Sequence, residues 1–292
     1  MPCFGDGIRH EICNWKQTWI NLTTENNKMD RRRFLGKTIV IAGSLGVFSY
    51  TLAQILNIND AINKSGRQRM LSQRLAKAYL QLGQTIDAER SRKILDASLH
   101  LFERQLAELR IFAPTNDNKL VLTEMEKTWL SYKQALVGQT PNQQDARNIM
   151  VINEELLAMA QTATVQLEKY SGSTSGQLVN ISGRQRMLSQ RMAKFYQALQ
   201  WDVAPADATG KLELARKEFT SGMQILSNSA GNTARIRDEL LLAQQQWMFF
   251  DGALRQSGDQ RNRQQYAINV ATTSERILEV MDGVTGLYQQ LG

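Results

Sequence analysis

Residues 65–74 read SGRQRMLSQR, and residues 182–191 read the same ten again, 117 positions later. The identity spreads outward from this core. Asn63 and Asn180 precede the two copies, and Ala76/Ala193, Lys77/Lys194 and Tyr79/Tyr196 follow them. Self-similarity at one offset marks a duplicated structural unit. Apart from the glycine and the two serines, the residue types are good helix formers, and there is no proline among them. One chain therefore carries two arginine-rich, glycine-containing helices that are able to face one another.

The duplication extends past the motif. Trp129 matches Trp247 and Ala135-Leu136 matches Ala253-Leu254, at offset 118. Eight helical stretches can be read, four per repeat: about 55–82, 88–112, 119–137 and 146–170, then 178–201, 212–227, 233–254 and 264–290. Leu95, Leu99, Phe102, Leu106 and Leu109 recur at helical spacing in the second, and Leu122, Met125, Trp129 and Tyr132 in the third. Breaks fall at residues 113–117 (APTND), 138–144 around Pro141, and 204–207 (APAD). Residues 171–176 (SGSTSG) read as a flexible joint between the repeats, or as a weak point in one long continuous helix. Short loops make neighbouring helices antiparallel. The expected fold is all-α: two tandem antiparallel four-helix units, residues 54–171 and 172–292, forming an intramolecular pseudo-dimer.

Residues 1–53 read differently. Residues 30–37 (DRRRFLGK) resemble a twin-arginine export motif, and the apolar run 38–52 ends in the small-x-small triplet Thr51-Leu52-Ala53. A basic stretch, an apolar stretch and small residues make up a secretory signal, and the paired arginines indicate the twin-arginine route. The expected location is periplasmic. Met29 is the favoured start, which makes residues 1–28 an upstream mis-start; a genuine N-terminal extension is the other reading of them. The alternative is an uncleaved signal that anchors the chain in the inner membrane; no second apolar stretch follows it. Both cysteines, Cys3 and Cys13, lie in this part, as do seven of the 35 basic and four of the 28 acidic residues. The formal net charge of +7 thus falls to +4 beyond it. Nucleic-acid binding is disfavoured by export and by this modest charge.

On a helical wheel of residues 62–82, Leu71, Leu75, Ala78 and Leu82 form an ordinary core stripe, with Arg67 and Arg74 at its edge. Ile62, Gly66, Arg69, Gln73, Ala76 and Leu80 lie opposite. A solvent face has no need of Ile62 and Leu80, and a core face does not carry Arg69. The second stripe therefore reads as a packed interface holding a polar pocket. Gly66 and Gly183 let two backbones approach closely, at a helix cost of roughly 0.5–1 kcal/mol each. A crossing there brings Arg69 to Arg186. Two guanidiniums repel unless an anion lies between them, and the planar donor fork of arginine suits a planar oxyanion. Gln73, Gln190, Ser65 and Ser182 are the nearby candidate donors. Arg67, Arg184, Arg74 and Arg191 read as surface arginines whose stems cover the rim of the core. Met70, Met187, Leu71 and Leu188 read as packing.

The motif resembles the sensor helix of the nitrate/nitrite sensor kinases of the NarX type, and that of the PilJ-like N-terminal domain of type IV pili methyl-accepting chemotaxis transducers. The shared pattern, approximately S/A-G-x-x-R-M-x-S-x-R, stands here at residues 65–74 and 182–191. The resemblance implies antiparallel four-helix periplasmic sensor domains. It implies a nitrate or nitrite ligand held between two motif helices by the arginine before the methionine, which is Arg69 and Arg186 here. Those families reach two motif helices by dimerising and carry a second membrane helix and cytoplasmic output domains. This chain has two motif helices in tandem, so a binding protein acting on a separate membrane signalling protein fits better. The alternative is a helical periplasmic interaction module, linked to type IV pili or chemotaxis signalling, with no small ligand.

No catalytic group, metal site or cofactor is expected. The one histidine beyond residue 53, His100, reads as a surface or boundary residue. Glu154 and Glu155 are adjacent and point to different helix faces. Phosphate-binding, dinucleotide and nucleophile-elbow motifs are missing.

Overall fold

A computed structural model of the chain describes residues 54–256 and 260–291. Eight α-helices occur in chain order: α1 (Ile58–Gly83), α2 (Ala88–Phe112), α3 (Asn116–Val137), α4 (Gln143–Ser171), α5 (Thr174–Gln200), α6 (Ala208–Ser227), α7 (Ala234–Leu254) and α8 (Arg263–Gln289). There is no strand among the described residues. The all-α fold and the four-plus-four plan agree with the reading of the sequence. The readings on residues 1–53, including the twin-arginine signal and any anchor, lie outside the described residues. Among those described, no helix is long and apolar enough to cross a membrane.

Polar residues just ahead of the helices set their starts. Asn57, Thr115, Asn142, Ser173 and Thr233 each accept a hydrogen bond from the backbone N–H three residues on. Each thereby satisfies one of the unpaired donors at a helix N-terminus. The joint between the repeats is tighter than expected. α4 runs to Ser171, Gly172 turns the chain at φ +60°, and α5 begins at Thr174. The left-handed conformation that ends α4 suits glycine, and the Ser173 cap restarts a helix at once.

α1 makes its most extensive contact with α5, the other motif helix. The two run parallel. Asn59 donates to Ser175 near their N-termini at 3.2 Å, and Gln84 donates to the Gln197 carbonyl near their C-termini at 3.1 Å. α4 and α8 run antiparallel to both. Thus α4 meets α1 from the Ser65–Thr164 contact to the Asn153–Ser72 contact, and α8 meets α5 from Arg186–Asp282 to Gln197–Ala267. These four helices form the centre of the molecule, with α2 and α3 packed outside the first pair and α6 and α7 outside the second.

The outer helices repeat as well. Phe102 stacks on Trp129, which meets Tyr132 edge-on; Phe219 stacks on Trp247, which meets Phe250 edge-on. Both clusters use offsets of 117 or 118 residues, so the duplication covers the outer helices too. Met70, Leu71, Met187 and Leu188 are buried, as the wheel requires.

Candidate functional site

The crossing of α1 and α5 is built around Gly66 and Gly183. A Cβ added to Gly66 would lie 3.1 Å from Arg69 Nη2 and 3.7 Å from Arg186 Nη2. One added to Gly183 would lie 3.2 Å from Arg186 Nη2 and 3.6 Å from Arg69 Nη2. Both guanidiniums therefore converge on the space that the missing side chains leave. Arg69 and Arg186 are fully buried, although arginine is seldom buried without a partner.

Each reaches across the seam. Arg69 Nη2 donates to the Asn180 carbonyl at 3.3 Å, and Arg186 Nη2 donates to the Asn63 carbonyl at 3.2 Å. The pseudo-twofold relation ends at the next atom. Arg186 Nη1 donates to the Asp282 carboxylate, whereas Arg69 Nη1 donates to Gln161 Oε1 at 2.7 Å. Arg186 also donates to Asn63 Oδ1 at 2.7 Å, while the equivalent Asn180 Oδ1 is buried and has no partner.

These surroundings appear in the acidity of the groups. Burial pushes Arg69 down to about 9, with Arg184 and Arg186 adding to the effect and Glu168 opposing it. Burial pushes Arg186 down to about 10, opposed mainly by Asp282. Both remain cations at neutral pH. Burial alone would raise the Asp282 carboxyl; Arg186 and Arg67 hold it at about 2.

The other predicted donors turn elsewhere. Ser65 shares a 2.9 Å hydrogen bond with Thr164, and Ser182 donates to the Leu178 carbonyl at 2.7 Å. Gln73 donates to Ser72 at 3.1 Å, and Gln190 donates to the Ser274 carbonyl at 2.9 Å. The Oε1 atoms of Gln73 and Gln190 are buried without a partner.

Arg67, Arg74, Arg184 and Arg191 are more than rim arginines. Each forms an ion pair, three of them with the other repeat: Arg67 with Asp282, Arg74 with Glu275, and Arg191 with Glu154. Arg184 pairs with Glu218 at 2.7 Å and also donates to Gln161 Oε1 at 3.2 Å. Edge positions on a wheel are where neighbouring helices meet, so a charge there finds a partner that one helix cannot reveal.

Sequence reasoning missed two buried lysines. Lys77 meets Glu275 at 2.5 Å and Ser274 at 3.1 Å; Lys194 meets Glu154 at 2.7 Å and Asn153 at 2.6 Å. Burial pushes Lys77 down to about 8 and Lys194 to about 7, each opposed mainly by its glutamate. The partners could have been found in the sequence. α4 and α8 align at an offset of 121, which pairs Asn153-Glu154 with Ser274-Glu275, Gln161 with Asp282, Thr164 with Thr285 and Glu168 with Gln289.

The site is thus a buried, polar, cationic seam between two copies of one helix, cross-braced by carboxylates from α4 and α8. Among the described residues no cluster of histidine, cysteine, aspartate and glutamate could hold a metal ion. No curated protein and no solved structure matches the chain. The family model for the type IV pili methyl-accepting chemotaxis transducer N-terminal domain matches twice in tandem, over residues 50–151 and 171–273. Each match holds one motif helix, the two helices after it and the start of the fourth, and the chain accordingly belongs to this family, with its domain present twice.

Proposed function

We propose that the chain is a sensor-type signalling module of the chemotaxis-transducer class, a periplasmic protein that acts by contact with a separate membrane signalling protein. The observation that carries this reading is the parallel pairing of the two motif helices inside one polypeptide. The arrangement that a dimer would supply is here covalently tethered, so no second subunit is needed to form the seam. The family supports signalling and not catalysis.

The test is deletion in the cell that encodes the chain. Directed surface movement should be lost while pili still assemble, and restored by the full chain. An unchanged directed response would contradict the reading. Export is tested separately: Arg31→Lys with Arg32→Lys should hold the chain in the cytoplasm, and undiminished export would exclude the twin-arginine route.

A second reading is favoured by one observation: among the described residues, no carboxylate contacts the buried Arg69 guanidinium. An unpaired buried charge is costly, and an opposite charge relieves that cost. In this reading a small oxyanion of the nitrate or nitrite class binds at the seam, through Arg69 and Arg186 beside Gly66 and Gly183. Calorimetry of the full chain with nitrate and with nitrite, alongside Arg69→Ala and Arg186→Ala, tests it. No heat with either anion would leave the motif as a packing and signalling element.

A further inference from the structure

The two halves of the seam differ in one charge. On α8, Asp282 Oδ1 accepts from Arg186 and, at 2.8 Å, from Arg67. On α4, at the matching place, Gln161 Oε1 accepts from Arg69 at 2.7 Å and from Arg184 at 3.2 Å. One half therefore closes two guanidiniums on a carboxylate, and the other closes two on a neutral amide oxygen. Glu218 reaches Arg184 from the outer side of that second half. Arg69 has no such help: the Glu168 carboxylate is engaged with the Asn180 side chain and acts on Arg69 only through space.

The acceptors around the two arginines differ in the same direction. Asn63 offers Arg186 both its carbonyl and its side-chain oxygen, whereas Asn180 offers Arg69 only its carbonyl. Asn180 Oδ1 is buried without a partner, whereas the Nε atoms of Arg69 and Arg186 are alike in having none. A cleft of about 280 Å3 between α4, α5 and α6 reaches Gln161 and Arg184 of this half but not Arg69 itself, and one of about 530 Å3 reaches Arg67 and Asp282 of the other. Gln161, Arg184, Arg191 and Lys211 line the first, with Glu154 and Glu218.

We propose that Asp282 is a built-in counterion that closes the Arg67/Arg186 half, and that the Arg69/Arg184 half takes one small planar oxyanion per chain, entering by the α4–α5–α6 cleft. The Asp282 carboxylate is the template for the ligand: an oxygen that bridges two guanidiniums, where Gln161 now bridges them less well. The chemical class is a planar oxyanion, either a carboxylate or nitrate. The inference rests on the oxyanion reading above and adds to it a one-sided site and a fixed stoichiometry. A dimer of identical subunits would carry the same residue on both sides; tandem duplication has let the two sides diverge.

The test is calorimetry of the full chain with sodium nitrate and, separately, sodium formate, which distinguishes the two sources of the anion. Unmodified chain should bind one anion. Gln161→Asp supplies the missing carboxylate and should weaken binding by roughly tenfold or more, with the thermal midpoint held or raised. Asp282→Asn opens the other half and should raise the stoichiometry to two. Two anions bound by the unmodified chain, or full-strength binding in Gln161→Asp, would overturn the one-sided site while leaving oxyanion binding in place. No heat from the unmodified chain or from Asp282→Asn would overturn oxyanion binding itself. Should Asp282→Asn not fold, Gln161→Asp decides alone.

Discussion

Arg69 and Asn180 are joined across the α1–α5 seam by a 3.3 Å hydrogen bond from guanidinium to carbonyl, and Arg186 and Asn63 repeat it at 3.2 Å. Both bonds need the two helix backbones to be close, and Gly66 and Gly183 permit that. Gly66→Leu puts a branched side chain where two guanidiniums now sit. It should destabilise the chain by about 1–3 kcal/mol, as overpacking of a well-filled interior does. Denaturant titration checks this; a midpoint equal to that of the unmodified chain would mean that the seam is looser than described.

Two other glycines should respond with opposite signs. A Cβ on Gly83 would overlap the Trp201 ring, whereas one on Gly283 meets nothing within 4 Å. Gly83→Ala should therefore lower the thermal midpoint, with a cost of about 1–3 kcal/mol if the ring cannot move aside. Gly283→Ala should raise it, by roughly 0.5–1 kcal/mol of helix propensity. Equal shifts in the two variants would contradict the packing assigned to the C-terminal end of α1.

Glu275 pairs with Arg74 and with the fully buried Lys77, and so ties α8 of one repeat to α1 of the other. Glu275→Gln leaves that lysine without a counter-charge. Removing one partner of a buried pair typically costs about 3–5 kcal/mol, and the same is expected for Glu154→Gln on the other side. Chemical denaturation measures both. Losses near zero would show that the cross-braces contribute little.

The same pairs set an acid limit. Burial alone would raise the Glu154 and Glu275 carboxyls above the ordinary 4.5; Lys194 with Arg191, and Lys77 with Arg74, hold both at about 2 instead. A folded-state value below the unfolded one means that the unfolded chain binds more protons within that window, so stability rises with pH there. The contribution is complete above pH 4.5 and is lost as pH falls toward 2. The denaturant midpoint should drop across this window, and less steeply in Glu275→Gln. A flat profile from pH 5 to 2 would contradict the pairing.

Much of this architecture could be read from the residues alone. The repeated decapeptide, the apolar spacing and the proline-bearing breaks placed all eight helices to within four residues at each end, and the wheel singled out Arg69 with Gly66. Helix starts were the weaker part: Thr115, Asn142 and Ser173 extend their helices back into polar sequence with no apolar signal, whereas Asn57 starts α1 three residues later than the apolar run suggests. The braces were hidden for a different reason. A wheel of one helix describes that helix only, and Glu154, Gln161, Glu275 and Asp282 act on residues more than 20 positions away. Their shared offset of 121, and not 117, reflects a longer connection in the second repeat, so a search at the motif's own period passes over them.

The central claim is that α1 and α5 pair in parallel within one chain. Asn59 and Ser175 touch across their N-terminal ends, Nδ2 to Oγ at 3.2 Å. Asn59→Cys with Ser175→Cys, in a chain whose Cys3 and Cys13 are serine, should oxidise to a cross-link within a single polypeptide, seen as a monomer of altered mobility on a non-reducing gel. Cross-linked dimers alone, or no cross-link in the folded protein, would contradict the account.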